Sequence, residues 1–270
     1  ETEHPFTINF SRDDVRITTH YHADMVASSL FSVIHEGGHA LYELHTGREL
    51  ARSNLGTGVS MGIHESQSRF YENIIGRSRA FCSIIYPWLK EHFAPRLDHV
   101  TEDDFYRMIN KSEPSLIRTE ADELTYCLHI MVRYELEKRM FDGSLTAHDL
   151  PAEWNRLYKE YLGIDVPDDR QGVLQDSHWA NGNIGYFPSY AIGSAYGAQY
   201  LQEMSKDLDV DAVVRSGDLT PINNWLEDRI WKHGCMKDPV ALFESVCGKF
   251  DPACYVAYLE KKFTEVYGLS

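Results

Sequence analysis

A mostly α-helical fold is what this sequence of 270 residues predicts. Three observations carry that reading. Apolar residues recur at helical spacing along much of the chain, while alternating β-branched runs are few. Candidate helix starts pair a capping side chain with proline, the favoured first-turn arrangement, at Thr220-Pro221, Asp238-Pro239 and Asp251-Pro252. Candidate stops are glycines that end periodic segments: Gly143, Gly163, Gly234, Gly248 and Gly268. These signals outline roughly nine or ten helices.

Taken in order, residues 25–34 form an apolar, helix-compatible run that leads into His35. Residues 54–61 are glycine-rich and read as a short extended stretch. Thr101 opens a helix, with Asp104 three residues on as its box-like partner. Between residues 118 and 140, Leu124, Leu128 and Met131 line one helical face with charges opposite. Residues 171–185 make the longest candidate loop, placed to carry functional side chains. Repeats, low-complexity tracts and linkers are not visible, so residues 1–270 read as a single α-helical region.

Composition narrows the function classes. Apolar residues are 43% and charged residues 25%, a globular balance with enough chain for a sizeable core. The 26 basic and 41 acidic side chains give a net charge of −15, which argues against a phosphate-binding basic surface and hence against a nucleic-acid partner. Apolar runs fall far short of the ~20 residues of a membrane span, so a membrane partner is not expected. Cys82, Cys127, Cys235, Cys247 and Cys254 are scattered without a CxxC pair, so neither a zinc knuckle nor a disulfide framework is suggested and a reducing, cytoplasmic setting is the expectation.

His35-Glu36-Gly37-Gly38-His39 fits HExxH. On a helix the histidines lie one turn apart, about 6 Å along the axis, so both imidazoles can face one metal ion. Glu36 stands beside them, placed to take a proton from an attacking water. The alternative is a buried helix whose histidines are satisfied by polar neighbours. Gly37 and Gly38 argue against it, because each mid-helix glycine costs about 1 kcal/mol relative to alanine and calls for close packing or a passing substrate. A catalytic zinc also needs a third protein ligand. Glu65, in His64-Glu65-Ser66-Gln67, completes a His₂Glu set if a second helix packs back on the first. Its other reading is a surface carboxylate paired with Arg69 at i,i+4.

With these residues in view, the sequence resembles the thermostable (Taq-type) zinc metallocarboxypeptidase family. Its motifs occur here in order: His4-Pro5-Phe6, Asp14-Val15-Arg16-Ile17-Thr18, the HEGGH of 35–39, His64-Glu65-Ser66-Gln67, Ile117-Arg118-Thr119-Glu120-Ala121-Asp122, and Gly172-Val173-Leu174-Gln175-Asp176-Ser177-His178-Trp179. The resemblance implies a helical, zincin-like fold with HExxH on a central helix beside a substrate cleft. It implies zinc, often replaced by cobalt, held by His35, His39 and Glu65, with Glu36 as the catalytic glutamate. It also implies a homodimer that trims amino acids of broad type from the C-termini of peptides. Family members are about twice as long, and the first motif lies near their middle. The likeness therefore implies that residues 1–270 correspond to the C-terminal, metal-bearing half, with the N-terminal half absent.

Further roles follow from that resemblance. A tetrahedral intermediate needs an oxyanion donor, and His178, Tyr186 and Tyr190 match a His-and-two-Tyr arrangement of the wider clan. A terminal carboxylate is best read by a bidentate guanidinium, which selects Arg118. Arg118's alternative is a salt bridge to Glu120, Asp122 or Glu123. Asp14, Arg16, Gln175 and Asp176 lie in family motifs as candidates for orienting a ligand or for caps and buried ion pairs. His20, His22 and His45 are expected to play helix-surface or supporting roles. The competing functions are an oligopeptidase of the same clan and an inactive metal-binding module.

Overall fold

A short antiparallel hairpin, unforeseen in the patterning, opens the chain: β1 (Thr7–Ser11) pairs with β2 (Asp14–Ile17), Thr7 opposite Ile17 and Asn9 opposite Val15. The computed structural model describes residues 1–2 and 4–269. Among these the fold is mostly helical, as predicted. α1 (Val26–Leu44) carries HExxH at its centre. α2 (Met61–Arg69) runs directly into a π-helical segment, Phe70–Ile75. α3 (Arg79–His92), α4 (Glu102–Ile109), α5 (Tyr126–Phe141), α6 (Leu150–Leu162), α7 (Pro188–Met204), α8 (Val210–Ser216), α9 (Thr220–Arg229), α10 (Pro239–Cys247) and α11 (Ala253–Tyr267) follow. No helix among the described residues is long and apolar enough to cross a membrane.

The local signals act at most of the predicted points. Thr101 and Asp104 cap α4 reciprocally: Asp104 N–H donates to Thr101 Oγ1 at 3.1 Å, and Thr101 N–H donates to Asp104 Oδ2 at 2.9 Å. Asp238 accepts from the N–H groups of Val240 and Ala241 to start α10. Gly163 closes α6 in the left-handed region, at φ +74°, which a side chain would disfavour. Thr220 departs from expectation. It is already helical, and Asp218 Oδ1 caps the turn by accepting from Thr220 N–H at 3.0 Å. Residues 54–60 are turns and irregular chain rather than a strand, and Met61 already begins α2.

The chain divides into two units, Glu1–Ile109 with Gly193–Ser270, and Asn110–Ile192. The first is built on a core of Tyr42, Ile63, Phe70, Tyr200, Trp231 and Phe243, with a satellite cluster around Tyr86, Leu89 and Phe105. The second packs α5 on α6 through Val132, Leu136, Trp154 and Tyr158. Here the predicted face of α5 holds only at Leu128, which packs against this cluster. Leu124, just before the helix, and Met131 are exposed, while His129, Arg133 and Glu137 point inward. Those polar residues are buried because each meets a partner inside the unit, so the α5 hydrophobicity pattern misreports its inner side.

Candidate metal centre

α1 and α2 approach closely enough to share backbone contact. A Cβ on Gly38 would stand 2.7 Å from Gln67 O and from Ser68 Cα, so the second glycine of HEGGH is the point where α2 lies against α1. Gly37 faces open space. Ser60 starts α2 by accepting from Ile63 N–H, which sets Glu65 over the α1 histidines. Gly193 of α7 closes the other side, since a Cβ there would meet Glu65 Cβ at 2.7 Å.

His35, His39 and Glu65 each offer one ligand atom within 4.8 Å of the others. Glu65 Oε2 lies 3.4 Å from His39 Nε2 and 3.8 Å from His35 Nε2. The remaining donor positions of these residues are turned outward and occupied. Glu65 Oε1 accepts from Arg69 Nε at 2.9 Å, so its i,i+4 pair and its place in the triad coexist on separate oxygens. His35 Nδ1 faces Glu72 Oε2 at 2.8 Å. His39 Nδ1 faces His64 Nδ1 at 2.8 Å, and His64 Nε2 faces Glu43 Oε1 at 2.6 Å. Carboxylates accept, so they assign the ring protons: His35 donates from Nδ1 to Glu72, and His64 donates from Nε2 to Glu43. His64 Nδ1 is then the acceptor for His39 Nδ1–H. Both Nε2 lone pairs are left converging on Glu65 Oε2. Two imidazole nitrogens and one carboxylate oxygen, each backed by a partner, fit a divalent metal of the zinc type.

The electrostatics favour that charge arrangement. Burial opposes ionisation of Glu65, but His35, His39 and Arg69 outweigh it and hold its carboxyl well below the usual range. The Glu72 carboxyl is likewise lowered to about 2, where burial is overcome by Arg69, His35 and Arg77. Burial also pulls His35 downward, yet Glu65 and Glu72 together raise it. Glu36, next to His35 in the chain, is buried, and Thr7 Oγ1 of β1 donates to its Oε2 at 2.6 Å.

A second polar cluster lies within residues 110–192. Arg118 is 5% exposed and donates from Nε and Nη2 to Asp176 Oδ1, at 3.0 and 2.8 Å, and from Nη1 to Tyr126 OH. Its partner is thus Asp176, not Glu120, Asp122 or Glu123. Asp122 instead caps α5 through Thr125 N–H and Oγ1. Arg133 donates from Nε to the other Asp176 oxygen at 2.7 Å, and Gln175 Oε1 accepts from Arg118 N–H and Arg133 Nη2. His178, Tyr186 and Tyr190 come together: His178 Nε2 lies 3.0 Å from Tyr190 OH, and its ring centroid lies 5.5 Å from that of Tyr186. Asp14 and Arg16 form an exposed bidentate pair on β2. His20 stacks on His22, and His45 Nδ1 donates to Leu41 O at the end of α1.

Comparison with known proteins decides the family. The family model described as Carboxypeptidase Taq (M32) metallopeptidase matches residues 1–263. The chain belongs to this family. It is 45% identical to Carboxypeptidase 1 of Bacillus subtilis (strain 168) over 269 residues, covering 99% of this chain and 54% of that protein. It is 44% identical to Thermostable carboxypeptidase 1 of Thermus thermophilus over 269 residues, covering 99% of this chain and 52% of that protein. The crystal structure of the M32 carboxypeptidase from Deinococcus radiodurans R1 superposes with a TM-score of 0.96 at 40% identity, over 99% of this chain and 55% of that one. The chain therefore spans about half the length of the curated relatives it matches.

Several residues around the triad of this M32 chain escaped the motif reading. Glu72 and His64 contact the candidate ligands His35 and His39, Glu43 contacts His64, and Thr7 donates to Glu36. A signal was present for some. Glu43 falls two helical turns after Glu36 and one after His39, and Glu72 two turns after Glu65, so each shares a face with the motif. For Thr7 no such spacing exists, because its contact crosses from strand to helix.

Proposed function

We propose that the protein carrying this chain is a zinc-dependent metallocarboxypeptidase that hydrolyses the C-terminal peptide bond of peptides with broad specificity. The observation that supports this most directly is the convergence of His35, His39 and Glu65 next to Glu36. Carboxypeptidase is also the activity named for the relatives at 45% and 44% identity. A bound zinc ion would supply Lewis acidity to the scissile carbonyl and to the attacking water. Cobalt or another divalent ion suits the same donors. Glu36 takes the proton of the attacking water and returns it to the leaving amine. His178, Tyr186 and Tyr190 are the proposed hydrogen-bond donors to the oxyanion.

Arg118 is the proposed reader of the substrate's terminal carboxylate. It enters that role already gripped by Asp176 and Tyr126, so substrate binding requires this pair to be shared or exchanged. A homodimer in the cytoplasm belongs to the same reading, supported by the family likeness and by five cysteines without a disulfide. The test compares the whole protein with its Glu36→Gln variant on a peptide and its C-terminally amidated twin. Activity should require the free acid and vanish in the variant while zinc stays bound. Turnover by a zinc-loaded Glu36→Gln protein, or equal cleavage of the amide, refutes the reading.

A further inference from the structure

We infer that strand β1 is a positioning element for the metal helix: Thr7 sets the carboxylate of Glu36, and Asn9 sets the far end of the chain of contacts behind His39. The inference rests on the proposed role of Glu36 in its first half only. Alternate strand residues share a face, and residues seven apart on a helix share a face. Thr7 and Asn9 stand on one such face, Glu36 and Glu43 on the other. Thr7 Oγ1 donates to Glu36 Oε2 at 2.6 Å, and Asn9 Nδ2 donates to Glu43 Oε2 at 2.6 Å. The intervening Ile8 and the following Phe10 are exposed. The strand itself is pinned by backbone pairing to β2, so the two side chains reach α1 from a fixed base.

The two grips do different things. With Oε2 of Glu36 engaged by the Thr7 hydroxyl, the carboxylate is held in its plane, and Oε1 is the oxygen presented to water. Glu43 is buried, and its Oε1 already accepts from Thr57 Oγ1, Gly58 N–H and His64 Nε2. Asn9 engages the remaining oxygen. That contact prevents rotation of the carboxylate about its last bond and so keeps Oε1 on His64, which in turn keeps His39 turned toward the triad.

The two halves separate experimentally in the whole, metal-loaded protein. Thr7→Val is expected to lower kcat about tenfold with KM and zinc Kd unchanged, and Thr7→Ser to restore it. Asn9→Leu is expected to raise zinc Kd about tenfold, read by chelator competition, with kcat recovered at saturating zinc. Wild-type kcat in Thr7→Val overturns the first half, and unchanged zinc Kd in Asn9→Leu overturns the second. Parallel loss of kcat and zinc affinity in both variants, tracking a fall in Tm, reduces β1 to a structural support and overturns both. Glu36→Gln run alongside separates the levels: if it stays active, the assignment of Glu36 fails, while the Asn9 arm is still decided by metal affinity alone.

Discussion

His39 and His64 meet through like atoms, Nδ1 to Nδ1 at 2.8 Å, so one ring must donate and the other accept. The direction is set at the far side of His64, whose Nε2–H is spent on Glu43. His64 therefore accepts, and His39 keeps the tautomer that leaves Nε2 available. His64→Phe keeps a ring of similar size and removes the acceptor. Zinc affinity should fall ten- to a hundredfold, the range for loss of a partner behind a ligating histidine. Chelator competition measures it, and an unchanged Kd would show that His39 needs no such partner.

The two glycines of HEGGH should respond oppositely to alanine. Gly38→Ala places a Cβ 2.7 Å from the α2 backbone and should cost about 1–3 kcal/mol, with weaker zinc binding as α2 moves off. Gly37→Ala meets nothing within 4 Å and should stabilise α1 by up to about 1 kcal/mol. Denaturant unfolding of the two variants reads both signs.

Asp176 bridges two buried guanidiniums, one on each carboxylate oxygen. Asp176→Ala leaves Arg118 and the fully buried Arg133 without their shared carboxylate. A loss of about 3–5 kcal/mol is expected, as for other buried ion pairs with one partner removed. Urea midpoints compared at equal pH test it, and a change below about 1 kcal/mol would mean that water or Glu137 takes over the charge.

Burial, reinforced by the nearby Arg133 and Arg118 charges, lowers the pKa of His129 to about 3. Its folded form is neutral where the unfolded chain, at an ordinary value near 6.5, binds a proton. Stability from this residue is present above about pH 6.5 and is lost as pH falls toward 3, because only the unfolded state gains the proton. Between about pH 7 and pH 5 the loss should be about 2 kcal/mol. Comparing urea unfolding of the native protein with His129→Gln at both pH values isolates it, and identical pH slopes would remove His129 as the cause.

The helical class was legible because caps and stops act locally. Asp238 and Gly163 do their work within a few residues, so the sequence alone announces them. The triad was legible for a related reason: His35 and His39 share one helix, and only Glu65 had to be brought from elsewhere. The hidden features depend on partners distant along the chain. The inward face of α5 is polar because Asp176 awaits Arg133 and because Trp179 Nε1 donates to Glu137. An apolar pattern cannot report a face whose burial is compensated by hydrogen bonds. Likewise Leu124 and Met131 mimic a core stripe yet face outward. The hairpin was missed although Thr7–Ser11 and Asp14–Ile17 alternate polar and apolar residues, because strands of five and four residues give too short a run of that pattern.

The π-helical segment Phe70–Ile75 begins one residue after Arg69 and contains Glu72. Each residue added to or removed from a helix rotates every later side chain by about 100° around the axis. From Glu65 through Glu72, one carboxylate must face the α1 histidines, one guanidinium must reach back to it, and a second carboxylate must meet His35. A single insertion or deletion in this stretch would swing Glu72 off His35 even if every other side chain were kept. The stretch thus has no tolerance for length change, whereas the turns of residues 171–185 hold the candidate side chain of His178 without helical phase.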